Sequence, residues 1–232
     1  LQRLERDFPD SATTGQTIHD LAEAAYAAED FITSAELFEK LSRRSADSPL
    51  RAIGLSGLAW SRFQAEAFVE AARDFSALGK AYPADVARAS EAAFMAGLSH
   101  QRADDLAKAA EAYTLGWTLY APTEPAAAGA EAEGQPLHYV FRCGWKAAQA
   151  DARRQERAAA DKLYEEVARL FPRAEDRDEL IDDWALLHYE AGQFARADEL
   201  FRKLVDEYPK SDRADDARLN LAESDNVAQR TE

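Results

Sequence analysis

IDDWALLHYEAGQFARADELFRKLVDEYP, residues Ile181 to Pro209, holds two helical patterns joined by a turn. Trp184, Leu187 and His188 recur at helical spacing, and Gly192 supplies a residue able to take the positive φ that ends a helix. Phe194, Ala197, Leu200, Phe201 and Leu204 then begin a second apolar stripe, which Pro209 stops because it has no amide hydrogen to continue the ladder. Ala185 and Ala197 are small enough for two helices to approach closely, and Phe194 and Phe201 supply bulk between them. The pattern predicts an antiparallel helical hairpin.

The rest of the chain reads as looser copies. Ile18, Leu21, Ala22, Ala25 and Tyr26 lead to Phe31, Ala35, Leu37, Phe38 and Leu41, with Glu29-Asp30 at the turn in place of glycine. Leu55, Leu58 and Ala59 pair with Phe68, Ala71, Ala72, Phe75 and Leu78. Ala93, Ala96 and Gly97 pair with Leu106, Ala109, Tyr113 and Trp117. Leu137, Val140, Phe141, Trp145 and Ala148 pair with Ala160, Leu163, Tyr164, Val167 and Leu170, across a charged turn at 152–156. Prolines at 9, 49, 83, 122, 172 and 209 are read as closing marks, at spacings of 40, 34, 39, 50 and 37 residues. The 50-residue interval contains APTEPAAAGAEAEGQP, residues 121–136, which has no large apolar side chain and is expected to be an inserted flexible loop within a single domain spanning 1–232. Leu1–Pro9 resembles the end of a second helix and Ala214–Ala222 the start of a first one, so the chain is expected to be a piece of a longer protein with truncated repeats at both ends.

Composition agrees with helices throughout. Ten glycines and eight prolines in 232 residues leave few turn formers, and alternating β-branched runs are missing, so an all-α fold is expected. A formal charge of -15 excludes nucleic acid as an expected ligand, since counterion release from phosphates requires a basic surface. No stretch approaches the roughly 20 apolar residues that span a bilayer. The single cysteine, Cys143, excludes an internal disulfide and a cysteine-based zinc site.

The Ile181–Pro209 hairpin and a period in the thirties resemble the tetratricopeptide repeat, although Trp184-Ala185 stands where that family usually has Leu-Gly. The resemblance implies a right-handed α-solenoid of about five hairpins, with stability spread along the stack because each stripe gains roughly 1.5 to 3 kcal/mol per buried Leu or Phe only when a neighbour covers it. The closing phrase DEYPKSDRADDARLNLAES, with its Tyr-Pro-x-Ser junction, is also similar to the repeat domains of bacterial cell-envelope proteins, which implies a periplasmic or envelope-associated location. Such stacks line a concave face with their first helices. Residue by residue, that places Tyr26, Trp60, Phe63, Gln64, Phe94, Arg102, Trp145, Arg153 and Tyr189 along or near it, with Trp60 and Phe63 as the leading pair. The expected function is a non-catalytic scaffold binding a protein or peptide of basic character. A structural part in an envelope assembly and a regulatory segment of a larger enzyme are the alternatives.

No catalytic or cofactor site is expected. His19, His100, His138 and His188 fall on four separate first helices without the i, i+4 spacing of a metal pair, and are read as polar or packing residues. His138 and Cys143 are five residues apart, on different sides of a helix, so Cys143 is read as a small buried apolar residue. Two acidic runs, Asp176 to Asp183 and Asp212 to Asp216, open predicted helices and are read as complements to the helix dipole and caps for its free amides.

Overall fold

The computed structural model describes residues 1–44 and 48–231, with side chains described through residue 224. Among these residues there are twelve α-helices and no strand. They are α1 (Gln2–Asp7), α2 (Ala12–Ala27), α3 (Phe31–Ser42), α4 (Pro49–Gln64), α5 (Phe68–Ala81), α6 (Val86–Arg102), α7 (Leu106–Tyr120), α8 (His138–Arg153), α9 (Arg157–Leu170), α10 (Arg177–Glu190), α11 (Phe194–Glu207) and α12 (Asp212–Thr231). Helices α2 to α11 make five hairpins. The chain forms two compact units, Leu1–Leu115 and Gly116–Glu232.

One local device makes every hairpin turn. Glu29, Glu66, Asp104, Gln155 and Gly192 each adopt φ between 59° and 72°. The amide of the following residue reaches back five positions to a carbonyl in the last helical turn, as in Asp30 to Ala25 (2.9 Å), Ala67 to Arg62 (2.9 Å) and Gln193 to His188 (2.9 Å). This satisfies carbonyls that a helix end otherwise leaves orphaned. Glycine is therefore used once in five turns, and the charged turns at Glu29 and Gln155 close in the same way.

Counting from that left-handed residue, the five hairpins share one register. Seven positions before it stand Ala22, Ala59, Gly97, Ala148 and Ala185; five after it stand Ser34, Ala71, Ala109, Ala160 and Ala197. Every one of the ten is small and buried. The two sets touch where Ser34 Oγ donates to the Ala22 carbonyl (3.1 Å), so the small residues bring the helix backbones together as the sequence pattern requires. Nine positions after the turn come Phe38, Phe75, Tyr113, Tyr164 and Phe201, each no more than 2% exposed. At Gly97 an added Cβ would fall about 2.5 Å from the Tyr113 ring, so glycine is needed there for close approach.

Second helices end alike. Phe8, Tyr82, Phe171 and Tyr208 cap α1, α5, α9 and α11 with φ between -121° and -144°, outside the helical region, because the proline that follows crowds a helical residue. Pro122 follows α7 similarly, but Pro49 does something else: it is the first residue of α4, where a missing amide hydrogen costs nothing. The segment 121–137 is tied to its unit by Ala126 N–H donating to the Leu170 carbonyl (2.7 Å).

Candidate functional site

In the first unit, helices α2, α4 and α6 wall a cavity of about 460 Å³. Glu23 and Tyr26 come from α2, Ile53, Ser56 and Trp60 from α4, and Arg88 and Glu91 from α6. Phe38 forms part of its floor, packed so closely on Gly57 that a Cβ there would meet its ring at about 2.5 Å. Trp60 is half-buried, edge-on to Phe75 with ring centroids 5.5 Å apart, and hydrogen-bonds the Glu91 carboxylate. Burial pushes the Glu91 carboxyl up, against the opposing pull of that bond and of Arg88. Arg88 is committed elsewhere: its Nη1 donates to Asp85 Oδ2 (2.5 Å) and its guanidinium lies over the Tyr82 ring. The cavity thus offers aromatic faces and two carboxylates, with its single cation already paired.

Of the nine residues named from the sequence, Tyr26 and Trp60 meet at this cavity. Phe63 belongs to a hairpin corner. Tyr26, Phe63 and Tyr189 each stand three positions before the left-handed residue and pack edge-on against the first residue of the next helix, Phe31, Phe68 and Phe194, with centroids 5.3, 5.4 and 5.4 Å apart. The pattern aromatic-x4-Phe in YAAEDF, FQAEAF and YEAGQF is its sequence signature. Phe94 is half-buried against Tyr113. Gln64, Arg102 and Arg153 are the exposed last residues of α4, α6 and α8, where the two arginines also complement the helix dipole. Trp145 is 6% exposed and its indole N–H donates to Asp183 Oδ2 (2.6 Å), so its ring is covered by packing between α8 and α10. Glu23, Ile53, Ser56, Arg88 and Glu91 were missed. Their spacing of three or four from Tyr26, Trp60 and each other on the same helices was available as a signal.

The acidic run that opens α10 serves packing between hairpins of the second unit. Asp176 stands at the N-cap without a side-chain cap bond and accepts from Arg142 Nη2 (3.1 Å) instead. Asp178 accepts from Ser211, and Asp183 from both Trp145 and Gln149. Asp161 accepts from Trp184 Nε1 (2.7 Å) and bonds His188 Nε2 (2.8 Å). His188 is therefore a buried packing residue, as is Cys143, whose thiol burial pushes strongly up and away from thiolate chemistry. Among the described residues no group of three or more His, Cys, Asp or Glu could hold a metal ion.

A family model, the tetratricopeptide repeat, matches residues 183–211. The chain has the tetratricopeptide-repeat fold. YrrB, described as a TPR protein with an unusual peptide-binding site, superposes with TM-score 0.60 at 12% identity, covering 94% of this chain and 96% of its own. MamA superposes with TM-score 0.60 at 16% identity over 86% and 94% of the two chains. BtubC from P. vanneervenii gives 0.57 at 14% identity over 95% and 86%. No curated protein sequence matches the chain. At these identities the tetratricopeptide likeness is one of fold, and side-chain chemistry has to be read from this chain alone.

Proposed function

We propose that the chain is a non-catalytic interaction scaffold that takes an extended or helical segment of a protein or peptide in the cavity of its first unit. The observation that carries this reading is the cavity itself: about 460 Å³, walled by three successive first helices, with Tyr26 and Trp60 rings beside Glu23 and Glu91. Aromatic surface supplies buried area at low entropic cost, which is why such residues dominate interface energetics. The carboxylates and the net charge of -15 favour a basic segment, and Arg88, tied to Asp85, opposes it little. That YrrB, of the same fold, has a peptide-binding site supports the reading.

The test is selection of peptides from a displayed random library on the full chain, followed by fluorescence anisotropy with a selected peptide. Ser56 is half-buried and lines the cavity from α4, so Ser56→Arg fills the space and adds a repelling charge. It is expected to weaken binding tenfold or more with the melting temperature preserved, and raised salt is expected to weaken the wild type as screening shortens to about 8 Å. Unchanged affinity in a folded Ser56→Arg protein would sink the proposal.

A further inference from the structure

The rings and carboxylates that wall the cavity of the first unit specify more than a basic partner. Glu91 on α6 lines the cavity and is half-buried. Among the described residues its carboxylate accepts from the Trp60 indole N–H, while Arg88 acts on it only through its charge. A carboxylate has about four acceptor sites, so Glu91 keeps capacity for a further donor. Burial disfavours its charge, and a cation brought beside it gains more there than at a carboxylate in open water. Tyr26 and Trp60 are half-buried and held edge-on by Phe31 and Phe75, with ring centroids 5.3 and 5.5 Å apart, so both rings are in place before anything binds.

The chemistry of the cation decides which kind suits rings beside a half-buried carboxylate. A quaternary ammonium lies well on a ring but has no N–H to give Glu91. A lysine ammonium is a compact, strongly hydrated charge, which loses much of its water on entering and cannot stack. A guanidinium is planar and weakly hydrated, so its face rests on a ring while its in-plane N–H groups reach a carboxylate. The chain already uses that combination within itself. Arg88 lies 5.4 Å from the Tyr82 ring centroid and donates to Asp85 Oδ2 (2.5 Å), and Arg196 lies 5.1 Å from the Trp184 ring and donates to Glu199 Oε2 (2.8 Å). Lys146, over the Trp145 ring at 5.6 Å, donates instead to the Gln149 amide oxygen (2.9 Å). The volume of about 460 Å³ falls within the roughly 300 to 1,000 Å³ of ligand clefts.

We propose that the cavity seats an arginine side chain of the bound segment, stacked on an aromatic wall and bonded to Glu91, which makes Glu91 the residue that selects arginine over lysine. This rests on the peptide-binding reading of the same cavity. Its test titrates N-acetyl-arginine methylamide into the full chain at pH 7 and constant ionic strength, followed by the NMR shift of the Trp60 indole N–H. A saturable shift is expected, with severalfold weaker binding of the lysine analogue and none of the citrulline analogue, which keeps the shape but not the charge. Glu91→Gln retains an oxygen for the Trp60 bond and sheds a charge that burial disfavours, so it should melt no lower than wild type yet bind the arginine probe tenfold or more weakly. Absence of a saturable shift, equal affinity for the arginine and lysine or citrulline probes, tighter binding of the trimethyllysine analogue, or unchanged affinity in Glu91→Gln would each overturn the inference. If any of these occurs while Ser56→Arg still abolishes binding of a selected peptide, the arginine assignment falls and the peptide-binding reading stands. A selected peptide indifferent to Ser56→Arg removes both.

Discussion

The two units use one repeat register but fill it differently. In the first, rings meet inside each hairpin, Tyr26 on Phe31, Phe63 on Phe68 and Trp60 on Phe75, and a buried Ser34–Ser61 contact of 2.9 Å links one hairpin to the next. In the second, buried tryptophans are pinned through their indole N–H to carboxylates on neighbouring helices, Trp145 to Asp183 and Trp184 to Asp161, and Arg177 reaches from α10 to Glu207 and Tyr208. Trp60 bonds a carboxylate too, but its ring stays half open to the cavity while Trp145 and Trp184 are 6% and 4% exposed. A tryptophan on a first helix therefore says little about binding. What decides its role is whether neighbouring helices cover the ring once the indole is bonded.

The contrast yields its largest expected effect at these tryptophans. Trp145→Ala removes a buried ring and strips Asp183 of a donor, and should cost about 3 to 5 kcal/mol in denaturant unfolding. Trp60→Ala, losing a ring already partly in water, should cost roughly half as much, and should weaken the selected peptide in addition. Equal destabilisation by both, with peptide affinity unchanged in folded Trp60→Ala protein, would erase the distinction between the units.

A smaller effect tests the polar packing of the second unit. Asp182 is buried with Oδ1 unpartnered, and its carboxyl is pushed up to about 6, first by burial, then by Asp183, Asp216 and Asp178 against the opposing pull of Arg213. Between the ordinary value of 3.8 and about 6 the folded chain holds a proton that the unfolded chain releases. This group's contribution therefore falls as pH rises through that window, and its penalty is complete above it. Asp182→Asn should melt higher than wild type at pH 7.5, with the difference shrinking towards pH 5. Thermal unfolding of both proteins at the two pH values checks this, and a lower melting point for the variant at pH 7.5 would contradict it.

The smallest effect concerns what the units share. Glu66 holds φ 59° with a Cβ, whereas Gly192 holds 72° without one. Left-handed backbone costs an L-residue about 1 to 2 kcal/mol, part of which glycine returns as unfolded-state entropy. Glu66→Gly should therefore stabilise by at most about 1 kcal/mol, and Gly192→Ala should destabilise by about as much. Changes of the same sign would show that the five turns are not equivalent.

Much of this was legible in the residues. Helical periodicity, the small pair Ala185 and Ala197, and Gly192 before Phe194 specify a hairpin because they act through contacts within one turn or between two adjacent helices. The looser copies follow because small, aromatic and turn positions recur at the same offsets. Pro49 misled only because proline suits a helix start as well as a loop. The site was less legible. Tyr26, Phe63 and Tyr189 look alike in sequence and do pack alike, yet Tyr26 lines the cavity and Phe63 does not, since that depends on the helix of the next repeat. Trp145 finds its carboxylate 38 residues away and Trp184 finds its own 23 away. Local chemistry made the helices and their turns, whereas the covering of each ring, the pairing of each buried charge and the shape of the cavity between α2, α4 and α6 came from the stacking of separate hairpins, a geometry that no single window of sequence contains.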